Sequence, residues 1–185
     1  MSQDPQGENI IYTVEDLEVS YTRGQDATFI ADALKQCYKP EYGIHHLADT
    51  TKNKLAEGSY KIYDHKRQGH TYYFIAKKGN TQIGFLNLTI LDEDPKIGYF
   101  GIVILPSFQG KGIGGPLVSG LKNWAETTRL VEEVWCFTRP ENLHAIKAFN
   151  KAGGEKQGTW VDHRFDRTKT KSGQRLFYKF WPLYG

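Results

Sequence analysis

Hydrophobic and polar positions along the second half of the chain predict a strand, a helix and another strand. Residues 97–105 form an almost unbroken apolar run, which is typical of a strand buried on both faces. Residues 116–125 carry one apolar stripe at helical spacing, with Pro116 in the first turn. Because residues 131–137 are again apolar, the whole segment predicts a parallel βαβ crossover.

Weaker patterns on both sides of this crossover predict the other elements. They are strands at 17–21, 71–76, 83–91, 155–161 and 175–181, and helices at 26–38, 47–63 and 138–152. The last helix is expected to open on a capping box formed by Thr138 and Glu141 and to end at Gly153. The pattern therefore predicts a mixed α/β fold with about four helices on a mostly antiparallel sheet of about seven strands.

Length and composition favour one folded unit. The chain has 185 residues, of which 39% are hydrophobic, so it can bury a core of ordinary size. The polar residues 1–9 are expected to form a flexible tail, and residues 10–185 a single domain. No run approaches the roughly 20 apolar residues of a membrane span, and no signal-peptide pattern opens the chain, so a soluble cytoplasmic protein is expected.

Charge and cysteine content exclude some classes of function. The net charge of +3 is too small to indicate nucleic-acid binding by itself, and it equals the basic excess within residues 162–175. The basic segment from Arg164 to Arg175 fits a solvated hairpin, a surface for an acidic acceptor, or a contact with RNA or a ribosome. Cys37 and Cys136 lack the spacing of a zinc site, so no metal is expected.

A glycine-rich loop follows the apolar strand and carries the clearest functional signal. It reads Gln109-Gly110-Lys111-Gly112-Ile113-Gly114-Gly115 and leads into the predicted helix. Its backbone N–H groups can converge at the positive end of that helix, an arrangement that favours phosphate, and Lys111 can add a charge. The chain has 19 glycines where an average composition gives about 13. Six of them, within residues 98–115, are expected to let the backbone approach a ligand.

Three kinds of phosphate loop compete for this segment. A P-loop needs Ser or Thr after its lysine, and Gly112 stands there instead. A dinucleotide-binding pattern fits Gly110, Gly112 and Gly115, with Glu132 or Glu133 as the ribose ligand, but these acids begin the next strand instead of ending it. The loop also satisfies a third pattern, Gln/Arg-x-x-Gly-x-Gly, and we prefer this pattern to the dinucleotide-binding one.

Two motifs carry a resemblance to a known family. The loop meets Gln/Arg-x-x-Gly-x-Gly with Gln109, Gly112 and Gly114. A later segment meets Asn-x-x-Ala-x-x-x-Tyr-x-x-x-Gly at all positions but the tyrosine, with Asn142, Ala145, Phe149 and Gly153. In these motifs, and in the order of its predicted elements, the chain resembles the GNAT superfamily of N-acetyltransferases. The spacing of the later segment is similar to the ribosomal-protein N-acetyltransferases.

The resemblance implies that the chain binds acetyl-CoA. The pyrophosphate would lie on the loop amides, and the pantetheine arm would pair with the preceding strand, where an N–H group of Ile102 or Val103 would polarise the thioester carbonyl. Asn142 would contact the pantetheine arm or, in the simpler interpretation, begin its helix. The implied cofactor-binding residues are Ile102, Val103, Ile104, Gln109, Gly110, Lys111, Gly112, Ile113, Gly114, Gly115, Asn142 and Phe149.

The implied activity is transfer of an acetyl group to a primary amine by direct attack. The acceptor is a small molecule, a protein N-terminus or a lysine, and its amine must lose a proton because its pKa is about 10.4. Tyr99 stands where some family members carry glutamate and is the candidate catalytic residue. Glu93, Asp94, His144 and His163 are further candidates for the acceptor cleft.

Phe149 departs from the family pattern. The family often has tyrosine there, which donates a proton to the departing CoA thiolate, and phenylalanine has no such proton. The expected role of Phe149 is therefore to pack in the core and against the cofactor. This departure leaves an alternative function open, a sensor or scaffold that binds acyl-CoA without catalysis. The resemblance also leaves a homodimer open.

Overall fold

The protein folds as a three-layer structure, described by a computed structural model for residues 10–38, 44–58, 60–64, 68–92, 97–161 and 174–180. The helices are α1 (Ala27–Cys37), α2 (Ile44–Ala56), α3 (Gly114–Thr128) and α4 (Leu143–Lys151). The strands are β1 (Ile10–Val14), β2 (Leu17–Tyr21), β3 (Lys61–Asp64), β4 (Gly69–Lys78), β5 (Thr81–Leu91), β6 (Ile97–Ile104), β7 (Glu133–Thr138), β8 (Glu155–Val161) and β9 (Gln174–Phe180).

The described strands form one mixed sheet in the order β1-β2-β4-β5-β6-β7-β9-β8, with β3 paired to β4. β6 and β7 are parallel, and the other pairs are antiparallel. The predicted crossover from β6 through α3 to β7 and the predicted mixed, mostly antiparallel fold are therefore confirmed. That residues 10–185 are a single domain stays a prediction.

Two apolar cores lie on opposite faces of the sheet. One packs α3 and α4 against the sheet and includes Leu117, Leu121 and Phe149. The other packs α1 and α2 against the sheet and includes Ile30 and Leu55. β6 contributes to both, with Phe100 in the first core and Val103 in the second, which is why its sequence is apolar without alternation.

The start of α4 differs from the prediction. Thr138 does not cap this helix, because it is the last residue of β7 and pairs with Leu176 of β9. Asn142 is the N-cap instead, and its side-chain oxygen accepts a hydrogen bond from the N–H of Ala145 at 3.1 Å. The capping-box interpretation was wrong because pairing between distant strands extended β7 through Thr138.

The segment after α2 also differs from the prediction. The helix expected to reach residue 63 ends at Ala56, and Gly58 follows in the left-handed region at φ +87°. Residues Lys61–Asp64 form β3 instead. β1 had no counterpart in the predicted elements, and Tyr12 joins it to α3 by donating a hydrogen bond to the carbonyl of Leu117 at 2.7 Å.

None of the helices in the described ranges is both long enough and apolar enough to cross a membrane.

Candidate functional site

The two edges of β6 differ in how far they are paired. Toward β5 the pairing runs from Gly98 to Ile104 without interruption. Toward β7 it covers only Ile97, Gly98 and Tyr99, opposite Glu133, Val134 and Trp135. β7 continues in partnership with β9, so the two parallel strands diverge after Tyr99. A gap therefore opens beside residues 100–104 of β6, where backbone groups are available to a ligand.

The alternation of backbone groups decides which residues face this gap. Leu105 donates its N–H to the carbonyl of Ile83 in β5 at 2.9 Å. In an antiparallel pair every second residue is hydrogen-bonded to the partner strand, so Val103 also points its N–H and carbonyl toward β5. Ile102 and Ile104 point theirs the other way, into the gap. Of the two N–H groups considered above, the one that faces the gap belongs to Ile102.

The carbonyl of Ile104 is already engaged within the protein. It accepts a hydrogen bond from Nε2 of Gln109 at 2.7 Å and one from Sγ of Cys37 at 3.3 Å. These contacts join the end of α1, the end of β6 and the start of the glycine loop. Gln109 thereby fixes the loop relative to the strand, while the N–H of Ile104 and both backbone groups of Ile102 still face the gap.

Two glycines of the loop after β6 have positive φ, which suits an anion-binding nest. Gly110 has φ +73° and Gly112 has φ +75°, a region that residues with a β-carbon rarely adopt. A β-carbon on Gly112 would meet no atom within 4 Å, so its conformation, and not its neighbours, requires glycine. The loop leads directly into Gly114, the first residue of α3, whose N-terminus adds a positive dipole.

The other glycines of this region lie in close contact with neighbouring elements. A β-carbon on Gly114 would lie 3.0 Å from Cβ of Ala148, and one on Gly115 would lie 3.0 Å from Cδ of Lys151. Gly98 lies against Leu88 and Val131, and Gly101 lies against Asn87. Close contact between protein elements is therefore a second reason for four of the six glycines, and their role in the approach of a ligand stays a prediction.

The gap, the loop and α4 enclose one cavity of about 550 Å³. Its lining residues are Cys37, Tyr38, Ile102, Val103, Ile104, Phe108, Gln109, Gly110, Gly112, Ile113, Gly114, Gly115, Asn142, His144, Ala145, Lys147, Ala148 and Lys151. No carboxylate belongs to this set of described residues, whereas two lysines and one histidine do. The electrostatics of the cavity thus favour a negatively charged ligand.

Comparison with known proteins identifies the family. The acetyltransferase (GNAT) family matches residues 29–154, a range that contains the gap, the glycine loop and α4. The chain belongs to this family. The predicted resemblance to GNAT acetyltransferases is therefore confirmed.

Named relatives of this GNAT chain act on different acceptors. The aminoglycoside N(6′)-acetyltransferase type 1 of Salmonella typhimurium is 30% identical over 102 residues, which cover 51% of this chain and 70% of that protein. The ribosomal-protein-S5-alanine acetyltransferase of Vibrio fischeri has a TM-score of 0.67 at 18% identity, covering 92% of this chain and 96% of that one.

An aminoglycoside acetyltransferase bound to coenzyme A and kanamycin also has a TM-score of 0.67 at 18% identity, covering 89% of this chain and 94% of that one. At such identities the two structures show a shared fold alone. A closer relation to the ribosomal-protein acetyltransferases stays a prediction.

Most of the residues predicted from the GNAT motifs line the cavity, and three do not. Lys111 is exposed beside the loop, with Nζ 5.3 Å from the ring centroid of Phe108. Phe149 is 2% exposed and packs edge-on against Phe100 at 5.7 Å and Tyr178 at 5.4 Å. Its packing in the core is thus observed, while its predicted contact with the cofactor stays a prediction.

Tyr99, the third of these residues, belongs to an aromatic stack beside the gap. Its ring stacks on Phe137 at 5.5 Å, Phe137 stacks on Phe177 at 5.0 Å, and Phe177 stacks on Trp135 at 4.3 Å. Tyr99 and Val103 lie on the same face of β6, the face that α1 covers further along the strand. The gap has one end at the glycine loop and the other end at Tyr99, and the aromatic stack begins at the Tyr99 end.

The other predicted acceptor-cleft residues divide into two groups. His144 lines the cavity, and its Cε1 would lie 3.5 Å from a β-carbon on Gly110. Glu93, Asp94, His163 and the basic segment up to residue 173 lie outside the described residues. No group of three or more His, Cys, Asp or Glu side chains with metal-binding proximity occurs in the part of the chain that the structure describes.

Sequence reasoning missed the residues that the end of α1 and the lysines of α4 contribute to the cavity wall. Cys37 and Tyr38 reach the cavity from the end of α1, and burial raises the pKa of both side chains, so both stay protonated at neutral pH. Lys147 and Lys151 reach it from α4. Of these residues, only the two lysines had a signal in the sequence. Their spacing of four residues, in the helix that ends before Gly153, places both on one face of α4.

Proposed function

We propose that this GNAT protein transfers an acetyl group from acetyl-CoA to a primary amine. The observation that carries the proposal is the gap along β6, which ends at a glycine loop with two residues at positive φ. A pantetheine arm has amide groups that can pair with an open strand edge, and a pyrophosphate suits the loop amides. Membership of the acetyltransferase family supports the same ligand.

In this proposal the backbone N–H of Ile102 binds the thioester oxygen. The amine nitrogen attacks the carbonyl carbon, the carbonyl oxygen becomes an oxyanion, and the N–H of Ile102 stabilises it. A positioned donor of this kind typically contributes a factor of about 10² to 10³ in rate. The carbon–sulfur bond then breaks, and CoA leaves as a thiolate. The nitrogen, which lost one proton before the attack, loses another to solvent or to a base and becomes the neutral amide.

Phe149 leaves the departing thiolate without the hydroxyl that the family motif supplies. Phe149 is 2% exposed, and its ring packs against Phe100. A thiol of pKa about 8.5 is an acceptable leaving group without an acid. The reaction therefore proceeds with protonation of the thiolate by solvent, at a rate below that of a relative with tyrosine.

Tyr99 is proposed to orient the acceptor amine. It begins the aromatic stack that runs from the gap through Phe137, and the acetyl group of a cofactor anchored at the loop would lie toward this end. Its hydroxyl can accept a hydrogen bond from the amine. The variant Tyr99→Phe should therefore raise KM for the amine more than it lowers kcat.

The experiment is a measurement of CoA thiol release from acetyl-CoA with a panel of amines. The panel contains three kinds of acceptor: kanamycin as an aminoglycoside, the polyamine spermidine, and peptides with the free N-termini of ribosomal proteins. These acceptors are chosen because similar acetyltransferases are named for them. Turnover with one class and not the others would assign the acceptor. Binding of acetyl-CoA without turnover of any amine would contradict the proposed activity. It would favour the alternative function, a sensor of acyl-CoA, for which Phe149 is the supporting residue.

A further inference from the structure

The outer rim of the cavity carries a pair of lysines on α4. Lys147 and Lys151 are four residues apart, so their side chains lie one above the other on one face of the helix. Both line the cavity and both are exposed. Two ammonium groups are thereby brought to one side of the site, on a different element from the glycine loop.

Close packing fixes α4 against the loop and the start of α3. His144, Ala148 and Lys151, which share one face of α4, lie next to Gly110, Gly114 and Gly115. The aliphatic stem of Lys151 crosses Gly115, with Cδ 3.0 Å from where a β-carbon would stand. The stem of Lys151 therefore lies against the first turn of α3, beside the loop and not within it.

Among the residues that the structure describes, no acidic side chain of the cavity wall balances the positive charge at this rim. In the described part of the chain neither lysine forms an ion pair within 4.0 Å, and no acidic side chain lines the cavity. Like charges four residues apart on a helix repel each other. Such a pair is therefore suited to an anion that carries more than one negative charge.

The loop amides and the lysines differ in the phosphate that they can reach. A pyrophosphate bound in the nest is satisfied by backbone N–H groups and the dipole of α3. Coenzyme A carries a further phosphate on its ribose, beyond the pyrophosphate, and this monoester has a charge approaching −2 at neutral pH. We infer that Lys147 and Lys151 bind the ribose 3′-phosphate of coenzyme A and make the protein selective for the 3′-phosphorylated cofactor. The inference rests on the proposed function.

The experiment compares binding of coenzyme A and 3′-dephospho-coenzyme A to the full chain by calorimetry. The wild type should bind coenzyme A about tenfold more tightly, because each exposed contact between opposite charges changes affinity by up to about fivefold. In the variant Lys147→Met/Lys151→Met, the affinity for coenzyme A should fall by about tenfold and that for the dephosphorylated ligand by less than about twofold. Methionine keeps the apolar stem that packs on Gly115.

A matched control removes two exposed lysines elsewhere, Lys54 on α2 and Lys156 on β8. The variant Lys54→Met/Lys156→Met lowers the net charge equally, so it should retain the preference of the wild type for coenzyme A. Raising the salt concentration from 0.1 M to 1 M should reduce that preference in the wild type, since screening shortens from about 10 Å to about 3 Å.

The outcomes separate this inference from the proposed function. If the α4 variant weakens both ligands equally, the lysines bind the pyrophosphate and the inference is wrong. If the control variant loses the preference as much as the α4 variant does, general charge explains it and the inference is also wrong. If the wild type binds neither ligand, the proposed function fails and the inference fails with it.

Discussion

The loop glycines Gly110 and Gly112 differ from Gly114, Gly115 and Gly120 of α3 in what requires them. The loop pair has positive φ, and around Gly112 there is open space. The glycines of α3 have ordinary helical backbone, but a β-carbon on each would press on Ala148, Lys151 or Tyr12. One set is required by backbone conformation and the other by packing between elements.

This difference shows that a run of glycines need not have one cause. In the sequence all of these residues look alike, and four of them fall within six positions. The two causes have different consequences, because a strained loop changes the site while an obstructed helix changes the stability of the fold. Substitutions can therefore separate the two sets.

The largest effect is expected for Gly120→Ala in α3. Alanine is favoured over glycine in a helix by up to about 1 kcal/mol, but here its β-carbon would overlap the ring of Tyr12, whose hydroxyl also bonds to Leu117. Because the overlap is severe, the cost of overpacking should reach about 3 kcal/mol, which the helix gain offsets only in part. The free energy of unfolding should therefore fall by about 2 kcal/mol. Urea denaturation measures it.

The control for this change is Gly158→Ala on β8, where a β-carbon meets nothing within 4 Å. It should alter the free energy of unfolding by less than about 0.5 kcal/mol. If Gly120→Ala were as stable as the wild type, the assignment of the α3 glycines to packing would be wrong.

The second effect is a loss of coenzyme A affinity in Gly112→Val. A β-branched residue at φ +75° is strained by about 1–2 kcal/mol, and relief of that strain reorients the N–H groups of the loop. The dissociation constant for coenzyme A should rise by about tenfold or more, which is about 1.4 kcal/mol or more. Calorimetric titration measures it.

The matched control is Gly79→Val, because Gly79 also has positive φ (+57°) and open space, in the turn between β4 and β5. Both variants should lose similar stability, and only Gly112→Val should lose affinity. Equal affinity in the two variants would mean that the loop does not bind the phosphates.

The smallest effect is expected for Lys179→Met, which should change the stability of the fold without involving either set of glycines. Glu133 accepts a hydrogen bond from Lys179 at 2.8 Å, and this contact lowers the pKa of the carboxyl group. A lowered pKa in the folded state stabilises the protein above the unfolded value of about 4.3 and loses that contribution as the pH falls through the folded value. Lys179→Met should therefore cost up to about 1 kcal/mol at pH 7.

The difference between Lys179→Met and the wild type should shrink as urea denaturation is repeated from pH 5 down to pH 3. Coenzyme A affinity should not change. Lys78→Met is the control, because its partner Asp16 lies 3.0 Å away but both side chains are at least half exposed. The side chains of Lys179 and Glu133 are only 18% and 23% exposed, so the effect of Lys78→Met should be smaller and should vary less with pH. An equal effect would mean that the lower exposure of the Glu133 pair does not strengthen it.

Much of the fold followed from local patterns, and the errors arose where distant contacts intervened. The β6-α3-β7 crossover was predictable because its signals are continuous runs of apolar residues. Thr138 was assigned to a helix because a capping box needs only a spacing, while its real partner, Leu176, is remote in the sequence. Asn142 caps α4 and lines the cavity, so the two interpretations weighed for it are compatible.

The amino-acid sequence by itself determined the parallel crossover, the glycine loop and a family resemblance, since these depend on residues close together in the chain. Only the tertiary structure decided that Ile102 faces the gap, because that depends on the register of β6 with β5. It also decided that Cys37 and Lys151 belong to the cavity wall and which glycines serve packing. Those properties arise when separate elements approach each other, and no local pattern encodes the distance between them.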